Sequence, residues 1–124
     1  MPIRGLRGAT VAESNTREAI IAATVELLEA MVTSNNLNLE EVASVFFTAT
    51  PDLDAAFPAL AARQLGWRDT ALMCAQEMAV PGSLPRCIRV LIHWNTDKRP
   101  DEIRHIYIGA AAQLRPDRAD AIQR

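Results

Sequence analysis

From Cys87 to Trp94 the chain runs Cys-Ile-Arg-Val-Leu-Ile-His-Trp, directly after a turn-rich loop carrying Pro81, Gly82 and Pro85. A β-branched, apolar run bounded by such a loop reads as a strand. Side chains alternate along a strand. Ile88, Val90, Ile92 and Trp94 therefore share one face, and Cys87, Arg89, Leu91 and His93 the other. Both faces read as at least partly covered, so this is a central strand that the rest of the chain must surround. Arg89 then sits where a guanidinium is costly unless it is paired. A guanidinium stays charged and offers five fixed donors, which suits an anionic ligand entering a pocket. The alternative is an edge-strand arginine whose head reaches water.

A chain of 124 residues reads as one domain, 1–124, with room for one modest core. With 49% apolar, 23% charged and 5% aromatic residues, it has an ordinary soluble profile. A net charge of −2 supplies no basic field for nucleic acid. No apolar run approaches membrane-spanning length, and the first residues hold no apolar signal-peptide core. Cys74 and Cys87 have neither metal-site spacing nor the density of a disulfide framework. The expectation is a cytoplasmic protein with two reduced thiols.

Further strands are expected at 3–11, 42–49, 70–74 and 104–108. In the first, Ile3, Gly5 and Arg7 share a face, while Arg4, Leu6 and Gly8 share the other. Gly5 and Gly8 are weak strand formers, and their expected use is close approach of another backbone or a ligand. Arg7 is a candidate anion contact or a solvated edge arginine. Asn15 or Thr16 caps the main helix, with Glu18 in capping-box spacing after Asn15. Its apolar stripe is Ile20, Ala23, Leu27, Leu28 and Met31, and it should stop near 34–36. A short helix opens at Asn38, another starts at Phe57-Pro58 with Gly66 just past its end, and Gly109–Pro116 forms a short helix or turn. Residues 117–124 are polar and read as a loose tail. The fold class is α+β, a mixed sheet flanked by helices.

Chemistry-bearing groups are few. Glu77 stands directly before the Pro-Gly loop, where it can accept from a ligand hydroxyl or lie exposed at the loop edge. Cys74 has no neighbouring His or Lys to activate it, which suits packing or a weak polar contact. His93 and His105 have no metal spacing and read as structural or exposed. No Ser-His-Asp order, glycine-rich phosphate loop, metal-ligand cluster or cofactor motif is present. Arginines on separate elements, one Glu and one Tyr suit binding of a small anion, or catalysis by electrostatic positioning.

Seven segments carry a resemblance. They are Ile3-Arg-Gly-Leu-Arg-Gly-Ala-Thr-Val11, Thr48-Ala-Thr-Pro-Asp-Leu53, Phe57-Pro-Ala59, Cys74-Ala-Gln-Glu-Met78, Pro81-Gly-Ser-Leu-Pro-Arg-Cys-Ile-Arg-Val90, Arg104-His-Ile-Tyr107 and Leu114-Arg-Pro-Asp117. Each alone is weak, but together they cover nearly the whole chain in order. They resemble the trimeric, α/β-barrel-like class of monofunctional chorismate mutase. The resemblance implies a homotrimer whose three sheets pack into a pseudo α/β barrel, with active sites at the subunit interfaces. The implied reaction is the Claisen rearrangement of chorismate to prephenate in phenylalanine and tyrosine biosynthesis, with no cofactor.

Residue roles follow by motif. Arg89 resembles the donor to the ether oxygen, and Arg7 with Tyr107 the pair that holds a substrate carboxylate. Glu77 resembles the acceptor for the ring hydroxyl, with Cys74 beside it. Phe57, Ala59, Met73 and Leu114 resemble the apolar walls. Arg63 and Arg115 resemble basic groups at the mouth, Arg115 in a tail placed to close over ligand. Phe57 to Arg63 would come from the neighbouring subunit. Some members carry a basic residue where this chain has Leu60, so a cationic contact at the mouth is missing. Two other classes stay in view: a non-catalytic small-anion-binding trimer using the same arginines, and an imine deaminase of the Rid type, which has a similar trimeric sheet arrangement but a poor motif match.

Overall fold

The computed structural model describes residues 1–114. The expectations for Arg115 and for the tail from 117 to 124 lie outside the described residues. The strand predicted from Cys87 is β4 (Cys87–Asn95), and it is central in a five-stranded mixed sheet. The order is β3 (Ala71–Gln76), β2 (Val42–Ala49), β4, β1 (Ile3–Val11), β5 (Ile106–Tyr107). β4 is antiparallel to both neighbours, whereas β2 with β3 and β1 with β5 are parallel. Two helices, α1 (Arg17–Asn35) and α2 (Ala59–Gln64), pack with the sheet.

The period-two alternation of β4 decides which face carries the core. Ile88, Val90, Ile92 and Trp94 are each no more than 2% exposed. Val90, Ile92 and Trp94 join Leu6, Phe47 and the α1 residues Leu27, Leu28 and Met31 in one cluster, and Ile88 packs with Ile20 and Leu53 in a second. Full burial of one such aliphatic side chain is worth about 1.5–3 kcal/mol, so this face dominates stability. The opposite face is half open, in keeping with partial cover on both sides: Cys87 is buried, Leu91 and His93 are half-buried and Arg89 is exposed. Register places Ser44, Phe46 and Thr48 of β2 against His93, Leu91 and Arg89, and Gly5, Arg7 and Ala9 of β1 on their other side. Phe46 and Met73, paired across β2 and β3 on this face, are exposed within one chain.

Gly8 does allow a close approach, but of helix side chains rather than of the backbone or ligand expected. A Cβ added there would stand 2.5 Å from Met31 Sδ and 3.0 Å from Leu27 Cδ1. Gly8→Ala should therefore destabilise the fold by about 1–2 kcal/mol, because flexible Met31 relieves only part of the clash. Denaturant unfolding monitored by tryptophan fluorescence checks this, and an unchanged midpoint would show that α1 shifts freely.

Some element boundaries differ from expectation for local reasons. Thr16, not Asn15, caps α1, accepting from the Ala19 N–H at 3.1 Å. Asn15 instead accepts from the Asp54 and Ala55 N–H groups and donates to the Asp54 carboxylate. β3 extends two residues beyond the expected end at Cys74, because β2 offers partners as far as Ala49. β5 is only two residues long, not the five expected. Side chains take over its ladder: Asn35 bonds both the N–H and the carbonyl of Arg104, and His105 Nδ1 accepts the Arg7 N–H.

Candidate active site

On the half-open face, Arg7 of β1, Arg89 of β4, Tyr107 of β5 and Glu77 just past β3 line one cavity of about 320 Å³. Gly8, Ala9, Phe46, Thr48, Val90 and Leu91 complete its lining. Strand pairing makes this convergence. Ala9 is the partner of Arg89 on one side and of Tyr107 on the other, and Thr48 is the partner of Arg89 on β2. Three strands thus deliver two guanidiniums and a phenol to one rigid surface, the arrangement that best holds a site's geometry.

Glu77 is fixed at both ends. Its N–H donates to the Ala49 carbonyl at 2.9 Å, continuing the β2–β3 ladder past its last pair. The Thr48 hydroxyl donates to Oε2. Oε1 faces Arg89 Nε at 3.5 Å, with side chains 23% and 47% exposed respectively. A pair this open adds little to stability, so its consequence is orientation: one carboxylate aims the guanidinium across the cavity. Thr48 carries no sequence signal of this role, since a threonine inside an apolar strand reads as packing.

The Arg7 N–H donates to His105 Nδ1 at 2.9 Å, so His105, which is buried, holds the backbone of a site arginine. This resolves His105 as structural. His93 is structural too: its Nδ1 lies 2.9 Å from Ser44 Oγ and its ring meets Phe46 edge-on. Cys87 is buried beside the cavity, and burial above all pushes its thiol up, against the opposing pull of the Arg89 charge. It stays a neutral thiol.

The remaining expected residues lie elsewhere within one chain. Phe57 and Cys74 line a separate cleft of about 490 Å³, together with Leu60 and Arg17. Cys74 pairs with the core residue Phe47, which puts it on the helix-side face. It therefore does not share the cavity of Glu77, as had been expected of it. Met73 projects from the open face, exposed. Ala59 is buried at the start of α2. Arg63 is exposed beside Trp67 and Arg68 in a third depression. Leu114 packs against Ala9, Tyr107 and Ala111 at the edge of the arginine cavity. Among the described residues no group of His, Cys, Asp and Glu is arranged to hold a metal ion. No described helix is long and apolar enough to cross a membrane.

A cavity with two arginines, a partly exposed carboxylate and a phenol can bind an anion that also carries a hydroxyl. Similarity to known proteins identifies the family. The family described as chorismate mutase type I matches residues 3–118. The chain is 53% identical over 116 residues to chorismate mutase AroH of Thermus thermophilus, covering 93% of this chain and 95% of that protein. It is 47% identical over 118 residues to chorismate mutase AroH of Bacillus subtilis, covering 94% and 93%. A solved chorismate mutase from Clostridium thermocellum matches with a TM-score of 0.88 at 50% identity, covering 90% of this chain and 99% of that one.

Proposed function

The chain belongs to the chorismate mutase type I family, and from that premise we propose that Arg89, Glu77, Arg7 and Tyr107 carry the rearrangement of chorismate to prephenate. The activity is that of an isomerase, and the supporting observation for the residue roles is the convergence of these four groups in one cavity.

The reaction is unimolecular: an ether C–O bond breaks as a C–C bond forms within one molecule. The protein must hold a flexible dianion in its reactive shape and stabilise charge that builds on the ether oxygen. Arg89 is the donor to that oxygen. Its interaction is stronger in the transition state than in the ground state, which is the condition for raising kcat. Arg7 and Tyr107 hold a carboxylate, and Glu77 accepts from the ring hydroxyl. No side chain forms a covalent bond.

The working unit we propose is a homotrimer with sites between subunits, in the cytoplasm. Two observations support it. The sheet's second face leaves Phe46 and Met73 exposed side by side, apolar surface that a neighbouring copy would cover. Phe57, one of the expected apolar walls, also lies in a different cleft from the arginines within one chain. A second copy would bring its Phe57, Ala59 and Arg63 to the arginines of the first.

Incubation of the purified protein with chorismate, following loss of its absorbance, should show turnover without added cofactor. Binding without turnover would make it an anion-binding protein, and activity on imino acids alone a Rid-type deaminase. Sedimentation equilibrium at micromolar concentration should give a trimer. A stable monomer with full activity would remove the interfacial site.

A further inference from the structure

Arg89 is only as well placed as the start of the strand that carries it. β4 begins at Cys87, and the residue before it, Arg86, has a φ of 50°. Non-glycine residues rarely take this left-handed conformation, and it persists only where the surroundings fix it. Here a clamp fixes it. Asp52 Oδ2 accepts the Arg86 N–H at 2.9 Å. Asp52 Oδ1 accepts the Thr50 hydroxyl at 2.5 Å, and Thr50 Oγ1 in turn accepts the Cys87 N–H at 3.0 Å. The Thr50 N–H donates to the Cys87 carbonyl at 3.0 Å, and the Leu53 N–H closes the turn on the Thr50 carbonyl. On the other side, Arg86 Nε donates to the Ala12 carbonyl and the Ala12 N–H donates to the Arg86 carbonyl.

We propose that Asp52, acting through Thr50 and Arg86, is a positioning residue for Arg89. Asp52 lines neither cavity that Arg89 lines, so it acts only through the backbone. Thr50 is its link inward, lining a chamber of about 300 Å³ with Glu77, Cys87 and Arg89 behind the 78–86 loop. Without the carboxylate, Arg86 relaxes to an ordinary negative φ. That turn of the backbone passes through Cys87 and Ile88 and swings the Arg89 side chain. The carboxyl is held below the ordinary carboxylate range, chiefly by the Thr50 hydroxyl, with the Arg86 N–H adding to it against the effect of burial. The clamp is therefore charged at neutral pH.

The proposal rests on the reading of Arg89 as the donor to the ether oxygen, and a double-mutant cycle tests the two separately. Asp52→Ala should lower kcat about tenfold or more, with KM moving less. Asp52→Asn, whose amide oxygen still accepts the Arg86 N–H, should keep most of the rate. In an Arg89→Lys background, Asp52→Ala should cost less than about twofold, because a flexible ammonium depends far less on the exact placement of its backbone than a rigid planar fork does. Glycine holds a positive φ unaided, so Arg86→Gly should restore rate to Asp52→Ala, and it supplies the background if Asp52→Ala alone fails to fold. Equal losses from Asp52→Ala in the wild-type and Arg89→Lys backgrounds, or an unchanged kcat in Asp52→Ala, would overturn the proposal. An unchanged kcat in Arg89→Lys alone would overturn the reading of Arg89, and the proposal with it.

Discussion

Replacing Arg89 with citrulline will lower kcat by at least about a hundredfold, on the order of 3 kcal/mol, while KM changes much less. The substrate's ether oxygen is neutral and a weak acceptor. In the transition state it is partly anionic, so a charge-assisted hydrogen bond strengthens there. Citrulline keeps the shape and most donors of the fork but deletes its charge. The Arg89 ion pair to Glu77 uses Nε, which leaves the terminal N–H groups of the fork to donate elsewhere. Only one carboxylate lies within 4 Å of this guanidinium among the described residues, and the pair is half open to solvent. Glu77 formally balances the charge from one side, and the guanidinium acts on the ether oxygen through the donors that face the cavity. Arg89→Lys should recover part of the rate, since one flexible ammonium replaces a rigid planar group. Steady-state kinetics on the semisynthetic protein measure this. A near-normal kcat with citrulline would mean that positioning, not charge, is what Arg89 contributes.

How much of this is legible in the sequence depends on the kind of interaction. The alternation from Ile88 to Trp94 is a period-two pattern, and it correctly separates the core face from the face bearing Arg89. The same counting puts Arg7 on that face as well, because Arg7 and Leu91 are register partners. Cys74 and Glu77 are three residues apart, an odd spacing, so a strand reaching Glu77 would turn them to opposite faces; parity alone argues against their adjacency. Side-chain bonds that replace ladder bonds leave no periodic trace. Asn35 bonding Arg104, and His105 bonding Arg7, shorten β5 in a way no pattern announces. Thr48 and Asp52 are hidden for a similar reason. Each acts through a hydrogen-bond partner that is distant in sequence, Glu77 for Thr48 and Arg86 for Asp52.

Glu77→Ala will lower kcat/KM by about 1.5–3 kcal/mol, the range for loss of a hydrogen bond to a charged group. Two effects combine. The substrate hydroxyl loses its acceptor and is left unpaired when bound. Arg89 loses the carboxylate 3.5 Å from its Nε, and with it the contact that aims its fork. The Thr48 hydroxyl, which donates to Glu77, must also turn elsewhere. Glu77→Gln separates these effects. An amide oxygen can still accept from the substrate hydroxyl or from Arg89, but it removes the negative charge beside the guanidinium. If acceptance from substrate is the main role, Gln should retain much of the rate that Ala loses. If the charge that orients Arg89 is the main role, Gln should fall nearly as far as Ala, and the loss should appear chiefly in kcat. Wild-type kinetics in both variants would remove Glu77 from the site and leave Arg89 without its orienting partner.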